Sequence, residues 1–319
     1  MAALSDVLVV NAGSTSLKLS VVDADDRSIA VESLEGAPPV EAVAHRVVHG
    51  GQRFREPVAV DDAVAAALGE LVDLAPLHMT PALRALEDAR RALPGLPHVA
   101  VFDTAFHATI PARAATYALP ERWRALGLRR YGFHGLSVAW AAEQVPVPRL
   151  VVCHLGGGCS VTAVRDGRSV DTTMGFTPLE GVPMGTRPGS VDPGALVYLL
   201  RQGVALDELD HGLEHDSGLR GLAGTDDVAA LLASGDADAR LALDVFGYRI
   251  AQAVAAMTVA LGGLDALVFT GGIGEHAAPV REAIVAQLGF LGDVAVHVVE
   301  TREDVVAARG ARSLLRSNR

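Results

Sequence analysis

Lysine and asparagine are almost absent from this sequence of 319 residues. Lys18 is the only lysine, and Asn11 and Asn318 are the only asparagines. Lys18 and Asn11 both belong to one turn that is rich in glycine and serine. Because arginine and alanine take the place of these residue types elsewhere, their retention in a single turn favours a functional role for that turn.

Cysteine is also scarce. The two cysteines, Cys153 and Cys159, form neither a CxxC pair nor a disulfide framework, so we expect a protein of the reducing cytoplasm. The N-terminus has no basic segment followed by a cleavable apolar one, and we expect no leader peptide. The apolar stretch 250–269 contains Asp265 and a glycine pair, which favours a buried helix followed by a strand over a membrane span.

Positive charge is in deficit. The chain has 27 basic and 38 acidic side chains, a formal net charge of −11. A general nucleic-acid-binding protein needs clustered positive charge, so we expect no nucleic acid partner. We also expect no membrane partner. A small anionic substrate remains compatible with this balance, because a few local arginines can hold it.

Half of the residues are hydrophobic, which excludes a disordered chain and predicts two domains at this length. Predicted strands and helices alternate, which indicates an α/β protein. A short apolar strand, a glycine-rich turn and two further strands begin near Val7, and the same pattern begins again near Leu150. The offset between Asn11 and His154 is 143 residues (154 − 11). We interpret this as a duplicated unit with a cleft between the two copies, although antiparallel meanders are common in proteins.

The turn from Asn11 to Lys18 has features of a phosphate-binding loop. Its small residues would let backbone N–H groups approach phosphate oxygens, Ser14 and Ser16 would donate further hydrogen bonds, and Lys18 would add a charge. The spacing is not that of a Walker A loop, and an ordinary hairpin turn would explain the residues equally well.

Four further side chains suit phosphoryl transfer. Arg46 and Arg187 stand in glycine-rich segments, Asp103 ends a predicted buried strand, and His134 lies between glycines. Taken singly, each has an ordinary structural explanation. Taken together, they indicate a phosphotransferase, because such catalysis consists mainly of positioning and neutralising negative charge. A carboxylate such as Asp103 or Glu275 would hold Mg²⁺.

Ordered motifs along nearly the whole chain resemble those of the acetate kinase family. They are residues 11–18, 45–51, 74–78, 101–107, 131–135, 154–160, 175–181, 184–187 and 269–275. The resemblance implies an α/β fold of two duplicated RNase H-like lobes, as in the actin, Hsp70 and sugar kinase superfamily, with an interlobe cleft. It implies reversible, direct in-line transfer of the γ-phosphoryl group of ATP to acetate or propionate, with Mg²⁺ or Mn²⁺.

The resemblance also implies roles for single residues. The catalytic set would be Asp103, Arg46, Arg187 and His134. Nucleotide and phosphates would be bound by Asn11, Ser14, Ser16, Lys18, His154, Gly156, Gly157, Gly158, Asp227, Gly271, Gly272 and Gly274. The apolar pocket for the acid would be lined by Val48, Leu77, Phe133 and Pro178, and the metal would be held by Asn11 and Glu275.

The same resemblance implies a domain division and a homodimer. Residues 1–106, completed by 277–319, would form the first lobe, and residues 107–276 would form the second lobe with the nucleotide site. Two departures from the family pattern leave alternatives open: Gly157 replaces an asparagine, and Ala229 stands where an arginine against the nucleoside is usual. The alternatives are another phosphoryl partner, such as pyrophosphate or a different nucleotide, and a non-catalytic, ligand-responsive protein.

Overall fold

The computed structural model describes residues 6–13 and 17–317. Its strands are β1 Val7–Ala12, β2 Leu17–Val22, β3 Ser28–Val31, β4 Ala42–Val47, β5 Val58–Ala59, β6 His98–Phe102, β7 Arg149–Leu155, β8 Cys159–Arg165, β9 Arg168–Thr172, β10 Ala266–Thr270 and β11 Ala295–Val298. Its α-helices are α1 Asp62–Gly69, α2 Pro76–Ala92, α3 Ala112–Ala115, α4 Glu121–Arg124, α5 Gly135–Gln144, α6 Pro193–Arg201, α7 Leu206–His215, α8 Gly218–Ala223, α9 Val228–Ala233, α10 Ala237–Leu261, α11 Gly271–His276, α12 Ala278–Ala286 and α13 Glu303–Ser317.

The first sheet has the strand order β3-β2-β1-β4-β6-β5. Strands β1, β2 and β3 form an antiparallel meander, whereas β4 and β6 run parallel to β1. Side chains alternate across β1: Val7 and Val9 pack in the cluster that contains α13 residues, and Leu8 and Val10 pack with Ala89 of α2. Because helices cover both faces, β1 is apolar throughout instead of alternating with polar residues.

The second sheet repeats this order from the other direction, as β11-β10-β7-β8-β9. Strands β7, β8 and β9 form the antiparallel meander, and β10 and β11 run parallel to β7. The long helix α10 packs against β7, β8 and β9. In both sheets the meander's first strand lies beside the fourth strand, so the predicted duplication of one α/β unit is confirmed.

The contacts divide the chain into two compact units. The first comprises residues 1–108, 133–140 and 302–319, and the second comprises 109–132 and 141–301. This division differs from the expected one, in which the whole of 277–319 joined the first lobe. Helix α12 packs on α10, and β11 pairs with β10, so these elements belong with the second sheet.

Helix α2 begins earlier than the sequence suggests. The pair Thr80-Pro81 has the residue types of a helix start, but the helix begins at Pro76, and Pro81 lies inside it. Its buried residues Met79, Ala82, Leu86 and Ala89 recur at helical spacing. Burial of this apolar stripe therefore outweighs the one backbone hydrogen bond that Pro81 cannot make.

The apolar stretch 250–269 is the end of α10, a turn at Gly262 and Gly263, and strand β10. Gly262 has a left-handed backbone and ends the helix. Within the described ranges, no helix is long and apolar enough to cross a membrane. The predicted helix followed by a strand is confirmed.

Candidate active site

Arg46 and Asp103 meet at the carboxyl ends of two neighbouring parallel strands of the first unit. Arg46 is near the end of β4, and Asp103 directly follows β6, where Val47 pairs with Phe102. The Arg46 guanidinium donates from Nε to Oδ1 of Asp103 at 2.9 Å and from Nη2 to Oδ2 at 2.6 Å. The Asp103 side chain is 1% exposed and that of Arg46 15%. A two-pronged pair of this kind fixes the guanidinium plane in a single orientation.

Asn11 and Glu303 complete this cluster. Asn11 pairs with Arg46 across β1 and β4, and its Oδ1 accepts from Arg46 Nη1 at 3.1 Å. Glu303, the first residue of α13, has its Oε2 at 3.3 Å from Arg46 Nη1 and at 3.4 Å from Asn11 Nδ2. Glu303 is not among the site residues that the sequence predicts.

The cluster contains one more carboxyl group than it has guanidinium groups. Burial by itself would lower the pKa of Arg46, but the charges of Asp103 and Glu303 outweigh burial and raise that pKa above the usual arginine value. Arg46 therefore stays charged at any relevant pH. The excess of carboxyl oxygen leaves this edge of the sheet able to accept a further cation.

His134 is joined to this cluster through the backbone. Gly135 donates its N–H to the Asp103 carbonyl at 3.0 Å, and a Cβ built on Gly135 would lie 2.0 Å from that carbonyl oxygen. His134 itself has φ of 60°, a left-handed conformation that costs a histidine about 1 kcal/mol or more. Only glycine permits this close approach to the Asp103 carbonyl, which explains why a glycine follows His134.

The residues predicted to line the acid pocket fall in both units. In the first unit Val48 and Phe133 are buried and Leu77 is half-buried. The Phe133 carbonyl accepts from His107 Nε2 at 2.8 Å, and burial lowers the pKa of His107 to about 4. Pro178 is buried in the second unit. Their shared role as a pocket stays a prediction.

Arg187 lies in the loop between β9 and α6 of the second unit. It is 9% exposed, and its Nη1 donates to the Pro178 carbonyl at 3.1 Å. Burial lowers the pKa of Arg187, although the carboxyl group of Glu214 opposes that effect. Two predicted site residues, Arg187 and Pro178, are therefore direct neighbours.

The two glycine-rich segments of the second unit also lie together. His154 on β7 pairs with Thr270 on β10, so the turn after β7 and helix α11 start at adjacent strand ends. A Cβ built on Gly156 would be 3.8 Å from the backbone nitrogen of Gly272. A Cβ on Gly157 or on Gly272 would meet no atom within 4 Å. Residues 269–275 resemble a nucleotide loop in sequence, and Gly271–His276 form the short helix α11.

The remaining predicted binding residues differ in what can be said of them. Lys18 is exposed on β2 opposite Asn11, whereas Ser14 and Ser16 lie outside the described residues. Asp227 caps α9 by accepting from the backbone N–H groups of Ala229 and Ala230 at 2.9 and 3.2 Å. A nucleotide-binding role of Asp227 stays a prediction.

The Acetokinase family model matches residues 33–318, which is most of the chain. The chain belongs to the acetokinase family.

Relatives in sequence and in structure agree with the assignment. An acetate kinase of Synechococcus sp. is 50% identical over 271 residues, covering 81% of this chain and 67% of its own length. A propionate kinase from Francisella tularensis superposes with a TM-score of 0.89 at 33% identity, covering 96% of this chain and 98% of its own. An acetate kinase from Entamoeba histolytica gives 0.88 at 28% identity, covering 98% and 100%. The chain spans about two thirds of the length of the curated relatives it matches.

Glu275, which is predicted as a metal ligand, also has a structural role. Its Oε1 accepts from the Gly271 N–H at 3.0 Å, and from the N–H and hydroxyl of Thr301 at 2.9 and 2.8 Å. These three bonds tie the start of α11 to the segment that leads into α13. These contacts give Glu275 a capping role, and its role as a metal ligand stays a prediction.

Proposed function

We propose that this protein is a carboxylate kinase that transfers the γ-phosphoryl group of ATP reversibly to acetate or propionate. The products are the acyl phosphate and ADP. The observation that carries the proposal is the buried cluster of Arg46, Asp103, Asn11 and Glu303 at the strand ends of a chain that belongs to the acetokinase family.

The proposed reaction is a direct in-line displacement. A carboxylate oxygen of the acid attacks the γ-phosphorus with its lone pair, and the bond from that phosphorus to the bridging oxygen of ADP breaks. No proton has to move, so the protein has only to position two anions and neutralise charge. The step therefore calls for fixed cations and hydrogen-bond donors rather than a general base.

Arg46 and Arg187 are proposed to hold the carboxylate and the transferred phosphoryl group. Asp103 fixes the plane of the Arg46 guanidinium, and His134 is proposed to stabilise charge that develops on the phosphoryl oxygens. The glycines at 156–158 and 271–274 are proposed to approach the phosphates of the nucleotide.

A divalent metal, Mg²⁺ or Mn²⁺, is implied by the family, and the oxygen-rich donors of the first unit fit it. Glu303 and Asn11 would hold it, directly or through water, because hard cations prefer carboxylate and amide oxygens. Within residues 6–13 and 17–317, no three His, Cys, Asp or Glu side chains converge as a cage. This suits a metal that is also held by phosphate oxygens and water, and the bound metal would neutralise phosphate charge.

We further propose a cytoplasmic homodimer. The cysteines Cys153 and Cys159 are buried and not joined in a disulfide, which suits a reducing compartment. Helix α6 has no buried residue and exposes Val197, Tyr198 and Leu200, a face that a second copy would cover. Mass photometry at nanomolar concentration tests the dimer: one species at the monomer mass of 33.1 kDa would reject it.

Trapping of the acyl phosphate tests the proposed reaction. The protein is incubated with ATP, Mg²⁺ and one acid from formate to butyrate, and hydroxylamine converts any acyl phosphate to a coloured hydroxamate. We expect product with acetate or propionate and none without ATP. Folded protein that yields no hydroxamate with any acid would contradict the proposal.

A further inference from the structure

The end of α7 is attached to the loop that carries Arg187. The Thr186 hydroxyl donates to the Glu214 carbonyl at 2.7 Å, and the Ser217 N–H donates to the Thr186 carbonyl at 2.9 Å. Glu214 is the last residue but one of α7, Leu206–His215. These bonds attach the backbone of residue 214 to the residue that precedes Arg187, and the charge of the Glu214 carboxyl group acts on the Arg187 guanidinium.

Burial of the Glu214 carboxyl group costs free energy. Its Oε2 is buried and has no hydrogen-bond partner among the described residues. Burial raises the pKa of Glu214, and the charge of Arg187 acts in the opposite direction. A buried carboxyl oxygen without a hydrogen-bond donor destabilises the folded protein. We therefore look for a role of the carboxyl charge.

The positive charges of Arg46 and Arg187 are offset by different groups. Arg46 donates to both carboxyl oxygens of Asp103, whereas Arg187 donates to the neutral Pro178 carbonyl. The charge of Glu214 opposes the effect of burial on the pKa of Arg187. A carboxyl group that acts from a distance offsets the buried charge without competing for the guanidinium donors.

We propose that Glu214 is the counter-charge of Arg187 and limits how tightly the anionic group of the substrate is held there. Glu214 thereby acts as a positioning and specificity residue rather than a catalytic one. The inference rests on the proposed function, because that function gives Arg187 its anionic ligand. A carboxylate near the anion weakens ground-state binding, which permits release of the charged product.

Sulfate serves as the probe, because it stays a dianion over the whole pH range and needs no turnover. Its affinity is measured by calorimetry for the wild type and for Glu214→Gln at constant ionic strength. Removal of the carboxyl charge is expected to tighten binding about three- to tenfold. Glu208→Gln, an exposed position on the same helix, is the matched control and should leave the affinity unchanged.

A double-mutant cycle assigns the effect to Arg187. In an Arg187→Ala background, Glu214→Gln should no longer change sulfate affinity. Equal or weaker binding by Glu214→Gln would overturn the inference, and so would tightening that persists without Arg187. Sulfate that binds none of the variants also counts against it, because Arg187 would then hold no anion. If Glu214→Gln does not fold, as judged by thermal unfolding, Glu214→Ala carries the same expectation.

The pH dependence gives a second readout. The charged and titratable groups that act on Glu214 are Arg187 from the loop, and Asp210 and His215 from its own helix. As the pH falls, Glu214 gains a proton and ceases to oppose the anion, so wild-type sulfate affinity should rise.

Failure of this inference and failure of the proposed function can be told apart. Sulfate binding is measured without ATP, so a protein that makes no hydroxamate still gives a result for Glu214. Conversely, an active kinase in which Glu214→Gln binds sulfate like the wild type would retain the proposed function and lose only the counter-charge.

Discussion

At the scale of single residues, the Arg46 guanidinium joins the other members of its cluster in the candidate site. Its guanidinium reaches Asp103, Asn11 and Glu303, which come from three separate parts of the chain. Lysine would keep the positive charge at this position but could not bind both oxygens of Asp103 while also reaching Asn11. The geometry of the guanidinium, and not its charge alone, is what the site requires.

Substitution Arg46→Lys tests that requirement. We expect turnover to fall by about a hundredfold or more, because the remaining ammonium group is a point charge in another place. Steady-state hydroxamate formation measures the change. Arg91→Lys is the control: its pair with Asp88 is largely exposed, with side-chain exposures of 74% and 51%, and should tolerate the change. Near-wild-type turnover by Arg46→Lys would contradict the assigned role.

His45 gives a prediction about pH. Its Nε2 lies 2.9 Å from Nδ1 of His98, and burial, with a smaller effect of the charge of His98, lowers the pKa of His45 to about 3. The folded protein thus keeps His45 neutral, whereas the unfolded chain takes up a proton near pH 6.5. Stability from this residue is complete above that pH and is lost as the pH falls from about 6.5 towards 3.

Urea unfolding at several pH values measures this effect. Below pH 6, His45 should contribute up to about 1.4 kcal/mol per pH unit to the decline in the free energy of unfolding. The variant His45→Gln should show a correspondingly shallower decline, whatever its stability at neutral pH. The exposed His297→Gln should show the wild-type slope. Identical slopes for the wild type and His45→Gln would refute the buried neutral histidine.

At the scale of elements, helix α13 carries Glu303 into the site and is fastened at the turn after β2. Asp26 has a left-handed backbone and accepts from Arg309 at 3.0 and 2.6 Å and from Arg312 at 3.3 Å. Arg312 also donates to the carbonyls of Val22 and Asp23 at 2.8 and 2.5 Å. Attachment of a helix from the end of the chain to this hairpin thus positions Glu303.

Asp26→Asn removes the charge and keeps a residue type that tolerates the left-handed backbone. We expect a loss of about 1–2 kcal/mol in the free energy of unfolding, because Arg312 is buried and loses its charged partner. Hydrogen exchange in α13 should become faster at the same time. Asp25→Asn breaks an ion pair whose two side chains are more than 70% exposed and should change stability little. Equal effects of the two variants would argue against the anchor.

The start of helix α11 offers a pair of adjacent glycines in opposite situations. Gly271 has φ of 79°, and a Cβ there would lie 2.7 Å from the Leu155 carbonyl oxygen, whereas a Cβ on Gly272 would meet nothing within 4 Å. We expect Gly271→Ala to cost about 2–4 kcal/mol and Gly272→Ala to cost less than about 0.5 kcal/mol. Urea unfolding measures the stability of both variants. A Gly271→Ala protein as stable as the wild type would show that the close approach at Gly271 is absent.

At the scale of the whole molecule, the duplicated architecture was predictable from the sequence because its signal is local. Each meander has short strands and tight turns. The repeat indicated by the offset between Asn11 and His154 corresponds to the matching strand orders of the two sheets. The sequence also predicts Asp103 at the end of a buried strand, but it does not predict that Arg46 lies on the neighbouring strand β4.

Glu303 could not be found in this way. It lies 292 residues from Asn11 along the chain, and nothing in its local sequence distinguishes it from other acidic residues at a helix start. Glu275 has a structural contact that its glycine-rich motif does not reveal: its Oε1 accepts bonds from Gly271 and Thr301, and its role as a metal ligand stays a prediction. Long-range packing decides both cases, and sequence spacing does not report it.

The measurement that tests the central claim most directly is the reverse reaction. Purified protein is mixed with ADP, Mg²⁺ and acetyl phosphate, and newly formed ATP is recorded by luminescence, with Asp103→Asn as the control. The account predicts ATP formation that saturates with both substrates and falls by orders of magnitude in Asp103→Asn. Absence of ATP from folded wild-type protein, or equal rates in the two proteins, would contradict it.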